Sequence, residues 1–101
     1  MRRLSITAVS VLNALSQGVK YGFDIIDATG LPSGTVYPAL SRLERDGFVK
    51  STWEEETSAH SEGRPARRYY RVTSTGSKAL AEATSHYLAL IPAIVRRGRG
   101  R

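Results

Sequence analysis

The first third of the chain has apolar residues at helical spacing. Ala8, Leu12 and Leu15 lie at i, i+4 and i+7, which predicts a first helix over residues 5–16. A second, shorter helix is expected over residues 21–28, before a glycine and a proline interrupt the pattern. Two short helices therefore follow one another through a tight, glycine-containing connection.

The next stretch has the clearest pattern of the chain. Four apolar residues lie at i, i+3, i+4 and i+7 between Ser33, a good N-cap, and Gly47, a good helix end. At about 100° per residue they share one face of a third helix, and the opposite face is polar. The apolar face holds Val36, Ala39, Leu40 and Leu43, and the opposite face holds Tyr37, Pro38, Ser41, Arg42 and Arg45.

The pattern then becomes strand-like. Residues 48–53 and 68–73 are rich in β-forming residues and predict a hairpin, with a polar loop over residues 56–65 at its tip. An isolated hairpin is only marginally stable in water, so this one must pack on the helices. The side chains expected to do so are Phe48, Val49, Trp53, Tyr70 and Val72.

The last helix is expected to begin between Thr73 and Thr75. Pro92 removes one backbone hydrogen bond and should bend or end this helix. The apolar stripe of the helix is longer than a core of this size can cover. It either belongs to the core of the chain or forms a dimer contact, and its length favours the dimer. The stripe consists of Leu80, Ala83, Tyr87, Leu88, Ile91, Ile94 and Val95.

Composition adds a positive charge to this picture. The 101 residues fit one domain, and 15 Lys and Arg against 9 Asp and Glu give a formal net charge of +6. Such an excess indicates a polyanionic partner, either nucleic acid or an anionic membrane. Residues 96–101 include four arginines and no apolar residue, and we expect a disordered tail. This tail is either simply solvated or attracted to phosphates without specificity.

The residue types that are absent exclude several classes of protein. With no cysteine, disulfides and thiolate metal sites are impossible, and the two histidines lack the spacing of a metal site. No apolar run approaches the roughly 18 residues of a membrane span, and the N-terminus lacks the apolar region of a signal peptide. The chain also lacks a nucleophile beside a base, a phosphate loop or paired carboxylates on a helix. We therefore expect a cytoplasmic protein that is not an enzyme, needs no cofactor and does not bind a membrane.

Three helices followed by a hairpin describe a winged helix, in which the second and third helices form a DNA-reading unit. Small polar and arginine side chains on such a helix can reach base edges or phosphates. An arginine between glycine and proline, as in the hairpin loop, suits a narrow minor groove, although a mobile tip with solvated charges is the alternative. The expected DNA-binding residues are Ser33, Thr35, Tyr37, Pro38, Ser41, Arg42 and Arg45 on the third helix and Arg64, Arg67 and Arg68 in the hairpin.

A winged helix can also serve protein–protein contact without specific DNA binding. Such a module would expose apolar residues on its third helix, whereas this helix carries polar and charged residues on the corresponding face. The sequence favours DNA binding over this alternative.

Four segments resemble the PadR family of bacterial transcription regulators. They are YGFDII at residues 21–26, GTVYPALSRLERDGFV at 34–49, WE at 53–54 and RRYYRVT at 67–73, and the likeness extends over about residues 4–85. The resemblance implies a homodimeric winged-helix repressor whose third helix reads a pseudo-palindromic operator in double-stranded DNA while the wing contacts its flank. A small-molecule effector commonly releases such proteins from DNA. The sequence indicates no particular pocket, so a ligand-sensing and a ligand-blind regulator both remain open.

The resemblance divides the chain into three parts. Residues 1–73 form the winged-helix DNA-binding domain, residues 74–95 the C-terminal dimerisation helix and residues 96–101 the basic tail. The residues expected to form the dimer contact are Leu80, Tyr87, Leu88, Ile91 and Ile94.

Overall fold

The computed structural model describes residues 4–99, except for the side chains of residue 58 and residues 93–99. Over this range the chain is mainly helical, with one antiparallel hairpin, which confirms the predicted winged-helix class. The elements are α1 (Ile6–Ser16), α2 (Gly22–Thr29), α3 (Ser33–Arg45), β1 (Val49–Trp53), α4 (Glu56–Ser61), β2 (Arg68–Val72) and α5 (Ser74–Arg99).

The first three helices lie where the apolar spacing predicts them. The Ser5 side chain accepts a hydrogen bond from the Ala8 N–H at 3.1 Å and caps α1. The prediction that Ser33 caps α3 is wrong by one residue. Pro32 is the N-cap, because its carbonyl accepts from the N–H groups of Thr35 and Val36 at 2.9 and 3.0 Å. Ser33 is instead the first residue of the helix.

The hairpin pairs β1 with β2, so that Val49 lies opposite Val72 and Trp53 opposite Arg68. The prediction of a loop over residues 56–65 is wrong in its first half, because α4 occupies it. Ala59 of α4 is only 1% exposed, and its carbonyl accepts from the Arg64 N–H at 3.2 Å. The segment thus folds back on itself around one small apolar residue.

The connection between α1 and α2 lies along the outer edge of β2. Tyr21 pairs with Tyr69 in an isolated antiparallel bridge, and the Tyr70 N–H donates to the Lys20 carbonyl at 2.8 Å. These bonds attach the hairpin, which we call the wing, to the start of α2.

The core lies between the first three helices and the base of the wing. Within the wing, Val49 and Tyr70 are buried and Phe48 and Val72 are half-buried, as expected. Trp53 departs from the prediction, because it lies at the far end of β1 and is 63% exposed. The core cluster consists of Ala8, Val11, Leu12, Ala14, Leu15, Ile25, Val36, Ala39, Leu40, Leu43, Val49 and Tyr70.

The final helix, α5, is anchored at both ends of its packed part. The Gly76 N–H donates to the Thr73 hydroxyl at 3.0 Å, which caps the helix as the sequence suggested. One side of the helix packs on α1, and the Tyr87 hydroxyl donates to the Leu4 carbonyl at 2.7 Å. The cap fixes where α5 begins, and the Tyr87 bond holds the helix against the winged-helix body.

Beyond this packed part, α5 is longer than predicted. It passes through Pro92 and includes Arg99, so the boundary placed between residues 95 and 96 is wrong. Pro92 lacks the N–H that would bond the Leu88 carbonyl, and its ring crowds that carbonyl, but the helix continues on both sides of it. Residues 100–101 of the expected tail lie outside the described residues. No helix within residues 4–99 is apolar over enough of its length to cross a bilayer.

Candidate nucleic-acid interface

The outer face of α3 is polar and open to solvent. Val36, Ala39, Leu40 and Leu43 are at most 2% exposed, so the helix lies firmly on the core with one side only. Arg42 and Arg45 make no ion pair with any other part of the described chain. Of the residues predicted on this helix, Thr35 is half-buried, and the exposed ones are Ser33, Tyr37, Pro38, Ser41, Arg42 and Arg45.

Tyr37 lies across the start of α2, and Gly22 makes that position available. A Cβ added to Gly22 would lie 2.8 Å from Cζ and 2.9 Å from the hydroxyl oxygen of Tyr37, well inside van der Waals contact. The Tyr37 side chain remains 44% exposed, so its ring is both packed and accessible. Sequence reasoning missed Gly22, although a buried glycine opening a helix is a recognisable signal.

Arg68 joins α3 to both strands of the wing. Its guanidinium donates to Glu44 of α3 at 3.1 Å and to the Ser51 hydroxyl at 2.9 Å, and Ser51 in turn donates to Glu44 at 2.5 Å. The Arg68 side chain is 43% exposed despite these bonds. This small network fixes the wing relative to the C-terminal half of α3.

A second network, the wing-tip cluster, consists of Tyr21, Glu54, Glu62, Arg64 and Arg67. Arg64 forms a bidentate pair with the Glu54 carboxylate, in which Nη2 lies 2.9 Å from Oε2, and it also bonds Glu62 at 2.8 Å. Glu54 additionally accepts from the Arg67 backbone N–H at 3.1 Å and from the Tyr21 hydroxyl at 3.4 Å. Hydrogen bonding to Arg64, reinforced by the Arg67 N–H, lowers the pKa of Glu54 from 4.5 to about 2. The same pairing raises the pKa of Arg64.

Arg67 is the second arginine beside Glu54 in this cluster. Its guanidinium stacks 3.9 Å from the centroid of the Tyr21 ring and lies 3.7 Å from a Glu54 oxygen, while its side chain is 47% exposed. An arginine over an aromatic face keeps its outer N–H groups available to an anion.

Three of the predicted site residues share one cleft, and the third wing arginine lies apart from it. Tyr37, Arg67 and Arg68 meet in a cleft of about 200 Å³ between α2, α3 and the wing, beside the exposed rings of Phe23 and Trp53. Arg64 does not face this cleft but lines a separate groove of about 610 Å³ against α4. Phe23 was missed by sequence reasoning, because nothing in the helical pattern marks which apolar side chain of α2 stays outside the core.

Some of the predicted dimer residues pack within their own chain, and others are exposed. Leu80 packs against the core of its own chain, and Tyr87 is half-buried through its bond to Leu4. Leu88 and Ile91 are 58% and 47% exposed. Ile6 and Leu90 are also exposed, at 59% and 43%, and were not predicted. The Ile94 side chain lies outside the described residues.

Comparison with known proteins adds evidence at the level of the family. A model of the transcriptional regulator PadR-like family matches residues 11–82. A transcriptional regulator from Clostridium thermocellum is 28% identical, with a TM-score of 0.73 and coverage of 89% of this chain and 87% of that one. A PadR family transcriptional regulator from Eggerthella lenta is 27% identical, with a TM-score of 0.68 and coverage of 85% and 78%.

A third structure agrees in fold alone. The PadR-like transcriptional regulator from Bacillus cereus has a TM-score of 0.77 at 20% identity and covers 95% of this chain and 94% of that one. Among curated protein sequences no match was found.

Proposed function

Because the chain belongs to the PadR-like family of transcriptional regulators, we propose that it acts as a homodimeric repressor. It binds a pseudo-palindromic operator in double-stranded DNA, with α3 in the major groove and the wing on the flank, and a small-molecule effector releases it. The observation that carries this proposal is the polar, unpaired outer face of α3.

That face has the chemistry of a DNA-reading helix. B-DNA has a major groove about 12 Å wide, which admits an α-helix and presents donors and acceptors on the base edges. Arg42 and Arg45 are exposed and have no carboxylate partner in the described chain, so a base edge or phosphate meets no competing ion pair. Ser41 and the Tyr37 hydroxyl can donate to phosphates, which orients the helix without specifying sequence.

The wing supplies a second contact beside α3. Arg67 and Arg68 keep nearly half of their side-chain surface exposed in the cleft that also contains Tyr37. A phosphate approaching this cleft would meet both guanidinium groups and the Tyr37 hydroxyl. Since the outer face of α3 carries polar and charged side chains, it favours DNA over a protein partner.

A second copy of the chain is the natural cover for the outer side of α5. Leu88 and Ile91, three residues apart, lie on one face of the helix, and both are about half exposed. Large apolar side chains in this arrangement favour a contact between subunits. A two-fold dimer then presents two copies of α3 to half-sites roughly 34–36 Å apart, or a multiple of that distance.

Selection of bound sequences from a pool of random duplex DNA tests the proposal. We expect an enriched motif with two-fold symmetry, and Arg42→Ala should change the preferred bases or weaken binding. Lys78→Ala removes the same charge from an exposed position of α5 and serves as the matched control. Failure to enrich any motif, or equal effects of the two variants, would contradict α3 as the reading helix.

A further inference from the structure

We propose that Glu54 is a positioning residue for the wing, and that Arg64 acts on DNA binding through Glu54 and not by touching DNA. Where it concerns DNA, this inference rests on the proposed function. It assigns Arg64 a different role from the minor-groove contact that its place between Gly63 and Pro65 suggests.

The bonds of Arg64 already occupy its guanidinium group. Its Nη1 and Nη2 atoms both donate to the Glu54 carboxylate, and Nη2 also donates to Glu62. The Arg64 side chain is only 23% exposed. To enter a DNA groove, Arg64 would have to leave both carboxylates. Breaking a bidentate arginine–carboxylate pair gives up the strongest kind of side-chain hydrogen bonding in proteins. It also faces the α4 groove and not the cleft of Arg67 and Arg68.

Glu54 joins three separate segments at one carboxylate. It follows the last residue of β1, and its side chain, which is 12% exposed, accepts from Tyr21 at the start of α2, from Arg64 after α4 and from the N–H of Arg67 before β2. Its own N–H donates to the Arg67 carbonyl at 2.8 Å, which extends the strand pairing by one residue. Loss of the carboxylate would therefore remove the side-chain bonds that join the tip of the wing to Tyr21 and Arg64 and leave only the backbone bonds between Lys20, Tyr21 and β2.

Arg67 depends most directly on this attachment. It is bonded to Glu54 through its backbone, and its guanidinium stacks on the Tyr21 ring of the same cluster. Its exposed guanidinium keeps its position in the cleft while the wing tip stays in place, whereas Arg68, the next residue, is also held by Glu44 and Ser51. Glu54 thus sets where the positive charge of the wing lies, although it carries a negative charge itself.

The direction in which Glu54→Gln changes the affinity for DNA distinguishes the two possible roles of Arg64. Glu54→Gln removes a negative charge near DNA and frees Arg64, so a DNA-contacting Arg64 predicts tighter binding. A positioning Glu54 predicts weaker binding in spite of the more favourable charge. Arg64→Lys is the complementary variant, since lysine keeps the charge but cannot form the bidentate pair.

Trp53 provides a readout that needs no DNA. It is the only tryptophan of the sequence, precedes Glu54 and is 63% exposed, so its fluorescence anisotropy and quenching report on the wing tip. Arg71→Ala is the matched control, because Arg71 is an exposed residue of β2 without an ion pair in the described chain. It removes one wing charge and leaves the wing-tip cluster intact.

The experiment measures affinity for the duplex selected from the random pool over a series of salt concentrations, together with Trp53 mobility in the free protein. We expect Glu54→Gln and Arg64→Lys each to weaken binding about tenfold, the effect of losing one charge-assisted hydrogen-bond pair. The salt slope should stay unchanged, Trp53 should become more mobile in both, and Arg71→Ala should leave Trp53 mobility unaltered. A double variant of Glu54→Gln and Arg64→Lys should bind no more weakly than either single variant.

Three results would overturn the inference. The first is equal or tighter binding by Glu54→Gln. The second is a salt slope reduced by about 0.9 in Arg64→Ala, which would indicate a direct phosphate contact. The third is unchanged Trp53 mobility in both variants of the cluster. If the unmodified protein selects no DNA, the proposed function fails, and the Trp53 measurement alone still decides whether Glu54 holds the wing.

Discussion

At the scale of single residues, two glycines occupy positions where a side chain has no room. A Cβ on Gly76 would lie 2.9 Å from the carbonyl carbon of Phe48, closer still to its oxygen, and 2.9 Å from a methyl group of Val72. The three atoms nearest a Cβ on Gly22 all belong to the side chain of Tyr37. A backbone carbonyl in the core cannot move aside, whereas an exposed ring can rotate away.

This difference predicts that alanine at Gly76 mainly lowers stability, whereas alanine at Gly22 mainly weakens DNA binding. Gly76→Ala should lower the free energy of unfolding by about 2 kcal/mol, because α5 must shift away from Phe48. Gly22→Ala should change it by less than about 1 kcal/mol but weaken DNA binding, because the displaced Tyr37 loses its place between α2 and α3. Urea unfolding and a DNA titration measure the two effects.

Gly34→Ala is the stability control for both, since its Cβ would meet nothing within 4 Å and alanine favours a helix. Equal stability of the Gly76→Ala and Gly34→Ala variants would show that the contact at Phe48 is not tight.

The Glu54 carboxylate predicts how the wing responds to acid. Its pKa is about 2 in the folded protein and 4.5 without the cluster, so the stabilisation by Arg64 is complete above pH 4.5 and is lost as the pH falls towards 2. Trp53 mobility should therefore stay constant from neutral pH to about pH 4 and rise only below it. Glu54→Gln should remove this rise, and an increase already complete at pH 4 in the unmodified protein would contradict the lowered pKa.

At the scale of elements, the sequence predicts what depends on local periodicity. The spacing of Val36, Ala39, Leu40 and Leu43 defines α3 because a helix resting on a core must bury one face. The six residues of α4 are too few for such a repeat, so the helix is invisible in the pattern. The candidate site likewise has a part that local periodicity predicts and a part that only the tertiary fold creates. The polar face of α3 could be predicted from its spacing, whereas the partners of Arg64 could not, because the tertiary fold alone brings Glu54 to it.

The outer side of α5 predicts the oligomeric state. Replacing Leu88 and Ile91 together by serine should shift the protein from dimer to monomer, because it removes two large apolar side chains from the proposed contact. Small-angle scattering at micromolar concentration measures the mass. Ala89→Ser changes an exposed residue that lies about 100° further round the helix from Leu88 and should leave the dimer intact. A monomeric mass for the unmodified protein would refute the dimer.

At the scale of the whole molecule, the net charge is distributed unevenly. Four of the 15 basic residues lie in residues 96–101, while Arg64, Arg67 and Arg68 are paired with carboxylates in the folded chain. The total of +6 therefore overstates the positive field of the winged-helix body. The contribution of the C-terminal arginines is best measured separately.

Deletion of residues 96–101 should reduce the salt dependence of DNA binding without abolishing sequence preference. Each phosphate contact that is lost lowers the slope of log affinity against log salt by about 0.9. The shortened chain ends at Val95, so the apolar residues of α5 remain. Replacing the four arginines by glutamine keeps the length and should give the same slope as the deletion. An unchanged slope would indicate that the C-terminal arginines do not contact phosphates.

The bond from Tyr87 to the Leu4 carbonyl spans 83 positions of the chain, and it has a consequence for biosynthesis. All members of the core cluster lie between Ala8 and Tyr70, so every one of them has been synthesised before the ribosome begins α5. At about 5–20 residues per second, the remaining segment follows within seconds. Leu4, just before α1, gains its bond to Tyr87 only when that residue has been made, and the proposed contact between subunits can form only after that. Each nascent chain thus has the residues of its winged-helix body before those of the proposed subunit contact.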